Sequence, residues 1–98
     1  GQVPIDPAQP GAPAPADIRA QTRRVLENIK LLLASEGLGF GHVVKSTVFM
    51  TNLAEFAGMN EVYSEYFPKP FPARSTVQVS ALPRGAAVEI EVIASYQA

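Results

Sequence analysis

The chain has 98 residues, enough for a single domain over 1–98 whose core leaves a monomer marginal unless association covers some of its surface. Apolar residues make up 47% of it and charged residues only 17%, a balance that favours hiding faces against partners. A net charge of −1, the lack of cysteine and a single histidine exclude a basic nucleic-acid footprint, a disulfide framework, a thiol nucleophile and a multi-histidine metal site within one chain.

No metal or cofactor is expected, although a ring of His42 across a symmetric oligomer stays open. No apolar run approaches the ~20 residues of a membrane span, and no signal peptide is visible, so the expected location is cytoplasmic, with no membrane and no nucleic-acid partner.

Five of the nine prolines (Pro4, Pro7, Pro10, Pro13, Pro15) fall at the start of the chain and predict an extended, irregular loop. The opening Gly1-Gln2-Val3-Pro4-Ile5 reads as the end of a strand. Asp17 is a suitable N-cap for a helix to about Glu36, with Ile18, Val25, Leu26, Ile29, Leu32 and Leu33 forming an apolar stripe. Gly37 supplies the stop, and Leu38 is placed to fold back on the last turn. Val43–Met50 is rich in β-formers, interrupted by Lys45 and Ser46. Asn52 and Glu55 resemble a capping box. A short helix is predicted from there to about Phe67, with Phe56, Met59, Tyr63 and Phe67 at spacings of three and four. Pro68, Pro70 and Pro72 end it. Strand Ala73–Val79 alternates Arg74, Thr76 and Gln78 against Ser75, Val77 and Val79, and strand Ala87–Ser95 sets Glu89, Glu91 and Ile93 against Val88, Ile90, Val92 and Ala94. The order predicts an α+β domain with helices on one face of a mixed sheet. Three strands make that sheet thin, so a strand comes from a partner or part of the domain is missing.

Arg74 reads two ways. It is an edge arginine paired with a surface acid, or a carboxylate anchor whose planar fork grips both oxygens as a lysine cannot. Glu89 and Glu91 share one side of their strand, either as solvated acids or with one of them serving as a general acid/base or a holder of water. If Leu82–Gly85 is a hairpin turn, Arg74 faces Ile93 and Glu89 faces Gln78. The two groups then lie roughly 13 Å apart at ~3.3 Å per residue, and a common site is more readily built where two chains meet. Thr76 and Asn60 read first as ordinary strand and helix residues, Tyr63 and Tyr66 as packing residues, and His42 as structural. Gly37, Gly39 and Gly41 match turn punctuation and not a phosphate loop.

Several segments together resemble the reactive intermediate deaminase (RidA, or YjgF) family across essentially the whole chain. They are Gly1-Gln2-Val3-Pro4, Gln21–Lys30 (QTRRVLENIK), Val44–Phe49 (VKSTVF), Phe56–Tyr63 (FAGMNEVY), Phe71–Thr76 (FPARST), and Leu82-Pro83-Arg84-Gly85 leading into VEIEVIA. The resemblance implies a chorismate-mutase-like fold, in which a homotrimer closes its sheets into a barrel with helices outside and ligands bind in clefts between subunits. It implies hydrolysis of 2-iminobutanoate or 2-iminopropanoate to the 2-oxo acid and ammonia. By the same resemblance Arg74 binds the substrate carboxylate and Glu89 positions water. Gly1 lines the cleft with its backbone, Asn60 is a cleft asparagine, and Thr76 stands where cysteine is common. Members also carry a segment before this glycine that forms the first strands and supplies a cleft tyrosine. That segment is missing from this chain, which would leave a sheet edge unpaired.

Other readings stay beside this one. The same trimer could bind small carboxylates, or act like a chaperone, without turnover. An endoribonuclease or translation inhibitor fits poorly with a charge of −1 and no basic-aromatic stripe. A chorismate mutase rests on fold likeness alone and would want several converging cations.

Overall fold

The computed structural model describes residues 1–96, and its elements follow one another as α1 (Ile18–Ser35), β1 (Val43–Met50), α2 (Phe56–Tyr63), β2 (Ala73–Gln78) and β3 (Val88–Ala94). The Asp17 carboxylate accepts from Ala20 N at 3.3 Å and opens α1. At its far end Gly37 takes φ 72°, while Leu38 N donates to Leu33 O and Gly37 N to Ala34 O. This is the paired arrangement that closes a helix on a left-handed glycine. Leu38 packs on the core beside Leu33, as its sequence position suggested.

The apolar stripe of α1 needs one change. Leu32 is 53% exposed and lines an open groove between α1 and β3, while Thr22 takes a fully buried place. Thr22 is tolerated there because its hydroxyl donates back to Ile18 O at 2.8 Å.

The sheet order is β2-β1-β3. β1 is central, parallel to β2 through the α2 crossover and antiparallel to β3. The expected hairpin between the last two strands is therefore absent. The turn at Pro83–Gly85 exists, with Arg84 and Gly85 both at positive φ, but it carries the chain across β1 to the far edge. The physical reason lies in β1 itself. Its alternate residues Ser46, Val48 and Met50 are fully buried, which suits a strand flanked on both sides.

The helices lie on the Ser46/Val48/Met50 side, and Leu26, Ile29 and Met59 meet Val48, Met50, Val88 and Ile90 in the core. Gly58 allows α2 to approach α1, since a Cβ there would come within 2.9 Å of Ile18 Cγ2. α2 also ends four residues before Phe67, although Phe67 stays buried. The expected capping box is replaced by a short helical turn at Leu53–Glu55, where the Asn52 side chain accepts from Ala54 N.

The proline-rich start is irregular, as expected, and it is held by two buried amides. Asn28 Nδ2 donates to Val3 O and Ile5 O, while Gln21 donates to Pro15 O and accepts from Ala87 N. Gln2 exchanges both backbone hydrogen bonds with Ile90, which extends the ladder beside β3. The strand-end reading of Gly1–Ile5 agrees with that pairing.

Candidate functional site

Register fixes where each candidate side chain emerges. Arg74 pairs with Ser46 and Thr76 with Val48, so both share the helix-covered side, at the sheet's edge strand. Glu89 pairs with Phe49 and Glu91 with Thr47, so both emerge on the opposite side. Two strand spacings across and three residues along separate Arg74 from Glu89, about 14 Å between backbones before the difference of face is counted. The site residues read from the sequence fall into two groups that a single chain does not bring together.

The first group surrounds Arg74. Its Nη1 donates to Asn60 Oδ1 at 2.5 Å, and its guanidinium carbon lies 4.7 Å from the Tyr63 ring centre and 5.3 Å from that of Phe56. Phe56, Asn60 and Tyr63 follow one another at spacings of four and three, which stacks them on one face of α2. The α2 crossover lays that face beside β2. A cavity of about 380 Å³ opens here, bounded by Asn60, Tyr63, Phe67, Phe71, Pro72 and Arg74. Arg74 is exposed and, among the described residues, has no carboxylate partner, whereas Arg19 pairs with Glu61 and Arg23 with Glu65. The surface-acid reading of Arg74 therefore fails within the chain. Thr76 lies two residues further along on the same face, half-buried.

The second group joins Gly1 and Glu89. A Cβ on Gly1 would stand 2.6 Å from Glu89 Oε2, so the backbone of Gly1 rests directly against the carboxylate. Only glycine permits that approach without displacing it. Glu89 is half-buried and Glu91 exposed, which separates the two acids the sequence left equivalent.

Reading the sequence missed Tyr63, Phe56 and Ser46 as parts of the site. Phe56 and Tyr63 were assigned to a core stripe. The available signal was an asparagine set between two aromatics at helical spacing, shortly before the Phe-Pro-Ala-Arg segment. Ser46 gave a weaker one, as the sole polar residue on the inward side of β1. His42 is structural, accepting from Gly39 N at Nδ1 (3.1 Å) and from Ser95 N at its carbonyl. Among the described residues no three His, Asp or Glu side chains gather as a metal-binding cluster, and no helix is long and apolar enough to cross a membrane.

The arrangement of a mixed three-stranded sheet covered by two helices matches solved structures of proteins similar to this chain. The model of a family described as Endoribonuclease L-PSP matches residues 1–96. Protein DfrA of Myxococcus xanthus is 55% identical over 94 residues, covering 96% of this chain and 71% of that one. The 2-iminobutanoate/2-iminopropanoate deaminase of Escherichia coli K12 is 42% identical over 97 residues, covering 96% and 74%. The crystal structure of E. coli TdcF with bound serine superposes with a TM-score of 0.88 at 43% identity, covering 96% of this chain and 75% of that one. The chain belongs to the RidA/YjgF family, whose named members include reactive intermediate deaminases.

Proposed function

We propose that the protein hydrolyses small 2-imino acids, 2-iminobutanoate and 2-iminopropanoate, to the 2-oxo acid and ammonium. The observation that carries this reading is the Arg74 guanidinium, oriented by Asn60 and two aromatic rings at the mouth of a cavity and left without an acid of its own. A charge so held is an anchor for a small carboxylate, and the planar fork suits two-oxygen recognition. Serine bound in TdcF and the name of the E. coli deaminase both point to amino-acid-like carboxylates as the ligand class.

The chemistry is modest and balances simply. Water adds its oxygen to the imine carbon of R–C(=NH₂⁺)–COO⁻. One water proton passes through Glu89 to the nitrogen, the C–N bond breaks, and the second proton leaves with it, giving R–CO–COO⁻ and NH₄⁺. Glu89 holds the water and relays the proton, and the Gly1 backbone lines the same pocket. Asn60 orients Arg74, and Thr76 borders the carboxylate. A hydroxyl in place of a thiol is sufficient, since no covalent nucleophile is needed. Positioning supplies most of the acceleration, because free imines already hydrolyse readily.

Arg74 and Glu89 emerge on opposite sides of the sheet, so the working site is assembled between chains, with Arg74 of one facing Gly1 and Glu89 of a neighbour. A homotrimer with sheets inward is the assembly we propose. The outer sheet face carries Val77 and Ile93 at 41% and 62% exposure beside half-buried Phe49, which suits burial against copies of itself. RNA is a poor fit for a chain of net charge −1.

The direct test generates 2-iminobutanoate with a threonine dehydratase and traps it with semicarbazide. Wild type suppresses semicarbazone formation and Arg74→Ala does not. No suppression by a folded wild-type oligomer would leave a carboxylate-binding module without turnover as the better reading.

A further inference from the structure

We propose that Tyr63 is a positioning residue for Arg74, and that the buried Ser46 hydroxyl is what holds Tyr63 in that role. The inference rests on Arg74 acting as the carboxylate anchor. Tyr63 sits on the last turn of α2, its side chain buried and its ring stacked on Phe67 with centres 4.4 Å apart at 24°. Its hydroxyl meets Ser46 Oγ at 2.5 Å. Ser46 is 1% exposed and is the one polar residue on the inward side of the central strand. Packing alone does not require this pair, because phenylalanine and alanine would fill much the same space without two hydroxyls to desolvate. What the bond adds is orientation. It ties the ring to the central strand of the sheet, and that strand also sets the register of Arg74, since Ser46 and Arg74 are partners across β1 and β2.

The ring so fixed lies 4.7 Å from the guanidinium carbon, nearer than Phe56 at 5.3 Å, and Asn60 completes the cradle. An arginine side chain loses much rotamer freedom when it grips a ligand. Holding it beforehand moves that cost from binding to folding, which tightens the grip. Tyr63 and Ser46 thereby set how strongly the site prefers a carboxylate over a neutral group of the same shape.

The test measures that preference. 2-Oxobutanoate and its neutral amide are titrated into wild type, Arg74→Ala, Tyr63→Leu, Tyr63→Phe, Ser46→Ala and the double variant Tyr63→Phe/Ser46→Ala, each checked for fold and oligomeric mass. Tyr63→Leu is expected to weaken 2-oxobutanoate about 5- to 30-fold through loss of the ring, while amide binding changes less than about twofold. Tyr63→Phe and Ser46→Ala each weaken 2-oxobutanoate by about two- to fivefold, and the double variant matches either single one, because all three remove one and the same hydrogen bond. A wholly structural role would lower both ligands together, and that outcome overturns the inference. Full carboxylate preference in Tyr63→Leu, with Arg74→Ala having lost it, also overturns it and leaves the anchor standing. Full preference in Arg74→Ala removes the anchor and this inference with it. If Tyr63→Leu does not fold, unchanged preference in folded Tyr63→Phe and Ser46→Ala decides against the proposal.

Discussion

Replacing Arg74 separates function from fold, because the residue is strongly held yet contributes little to the core. It is exposed on an edge strand, makes one side-chain hydrogen bond to Asn60, touches two rings and has no ion pair among the described residues. Truncation to alanine removes ring contacts contributing about 0.5–1 kcal/mol each at exposed sites. In a chain of this size 1 kcal/mol moves Tm by about 4–8 °C, so the two ring contacts together set an expected loss of about 4–16 °C. A charge-assisted pair to a substrate carboxylate contributes about 1.5–3 kcal/mol, so kcat/KM should fall about 10- to 150-fold. Arg74→Lys restores a point charge without the fork and should recover only part of that, leaving a deficit of about tenfold. The measurements are the dehydratase–semicarbazide assay, a thermal melt and a solution mass on the same preparations. Loss of the oligomer in Arg74→Ala, or an activity loss that tracks unfolded fraction, would sink the anchor reading and make Arg74 a structural residue. Unchanged kcat/KM in a folded variant would sink it as decisively.

Gly1→Ala should lower kcat with a nearly unchanged Tm, since its Cβ falls 2.6 Å from Glu89 Oε2 and must push the carboxylate aside; equal kcat in the two proteins would separate Glu89 from Gly1. Asn28→Ala leaves Val3 O and Ile5 O without their donor and should destabilise by about 1–3 kcal/mol in urea unfolding, with faster proteolysis in the proline-rich loop. Burial, and next its hydrogen bond to Glu27, hold the Tyr66 hydroxyl above the ordinary tyrosine value. A group whose folded pKa is raised stabilises fully below its unfolded value, and that contribution disappears as pH rises through the folded one. Stability should therefore fall with alkaline pH above about 10, the ordinary tyrosine value, and Tyr66→Phe should flatten that fall in pH-dependent melts.

Local signals were legible wherever local physics decides the outcome. Asp17 and Gly37 bracket α1 within a residue because caps satisfy backbone groups inside their own turn. β1 was readable over its full length from its β-branched content. What escaped was pairing. Two strands joined by a short proline-glycine turn suggest a hairpin, and no residue within them says that a third strand inserts between. That decision belongs to β1, whose inward residues need cover on both flanks. The same error of topology put Arg74 and Glu89 on one hairpin, when the register sends them to opposite faces. The pairs that do meet, Arg74 with Asn60 and Gly1 with Glu89, join segments far apart in sequence. The first depends on a crossover helix and the second on a loop tied down by Asn28, neither of which has a local signature.

That topology also argues for why such a site should depend on association at all. On the helix side of the sheet, an acid near Arg74 would pair with it and occupy the anchor before any substrate arrived. Placing Glu89 on the other face, behind the central strand, keeps the guanidinium vacant in the single chain. In the proposed assembly, a neighbour's acid would come close enough to serve the reacting carbon without reaching the arginine. An introduced negative charge separates this account from one in which the faces are incidental. An acid placed beside Arg74 by Thr76→Glu, two residues along on the same face, should neutralise the anchor within the chain and abolish carboxylate binding, leaving the oligomer intact. Retained binding of 2-oxobutanoate by that variant would mean that the arginine does not need to be kept free, and that the division of the site between two faces has another cause.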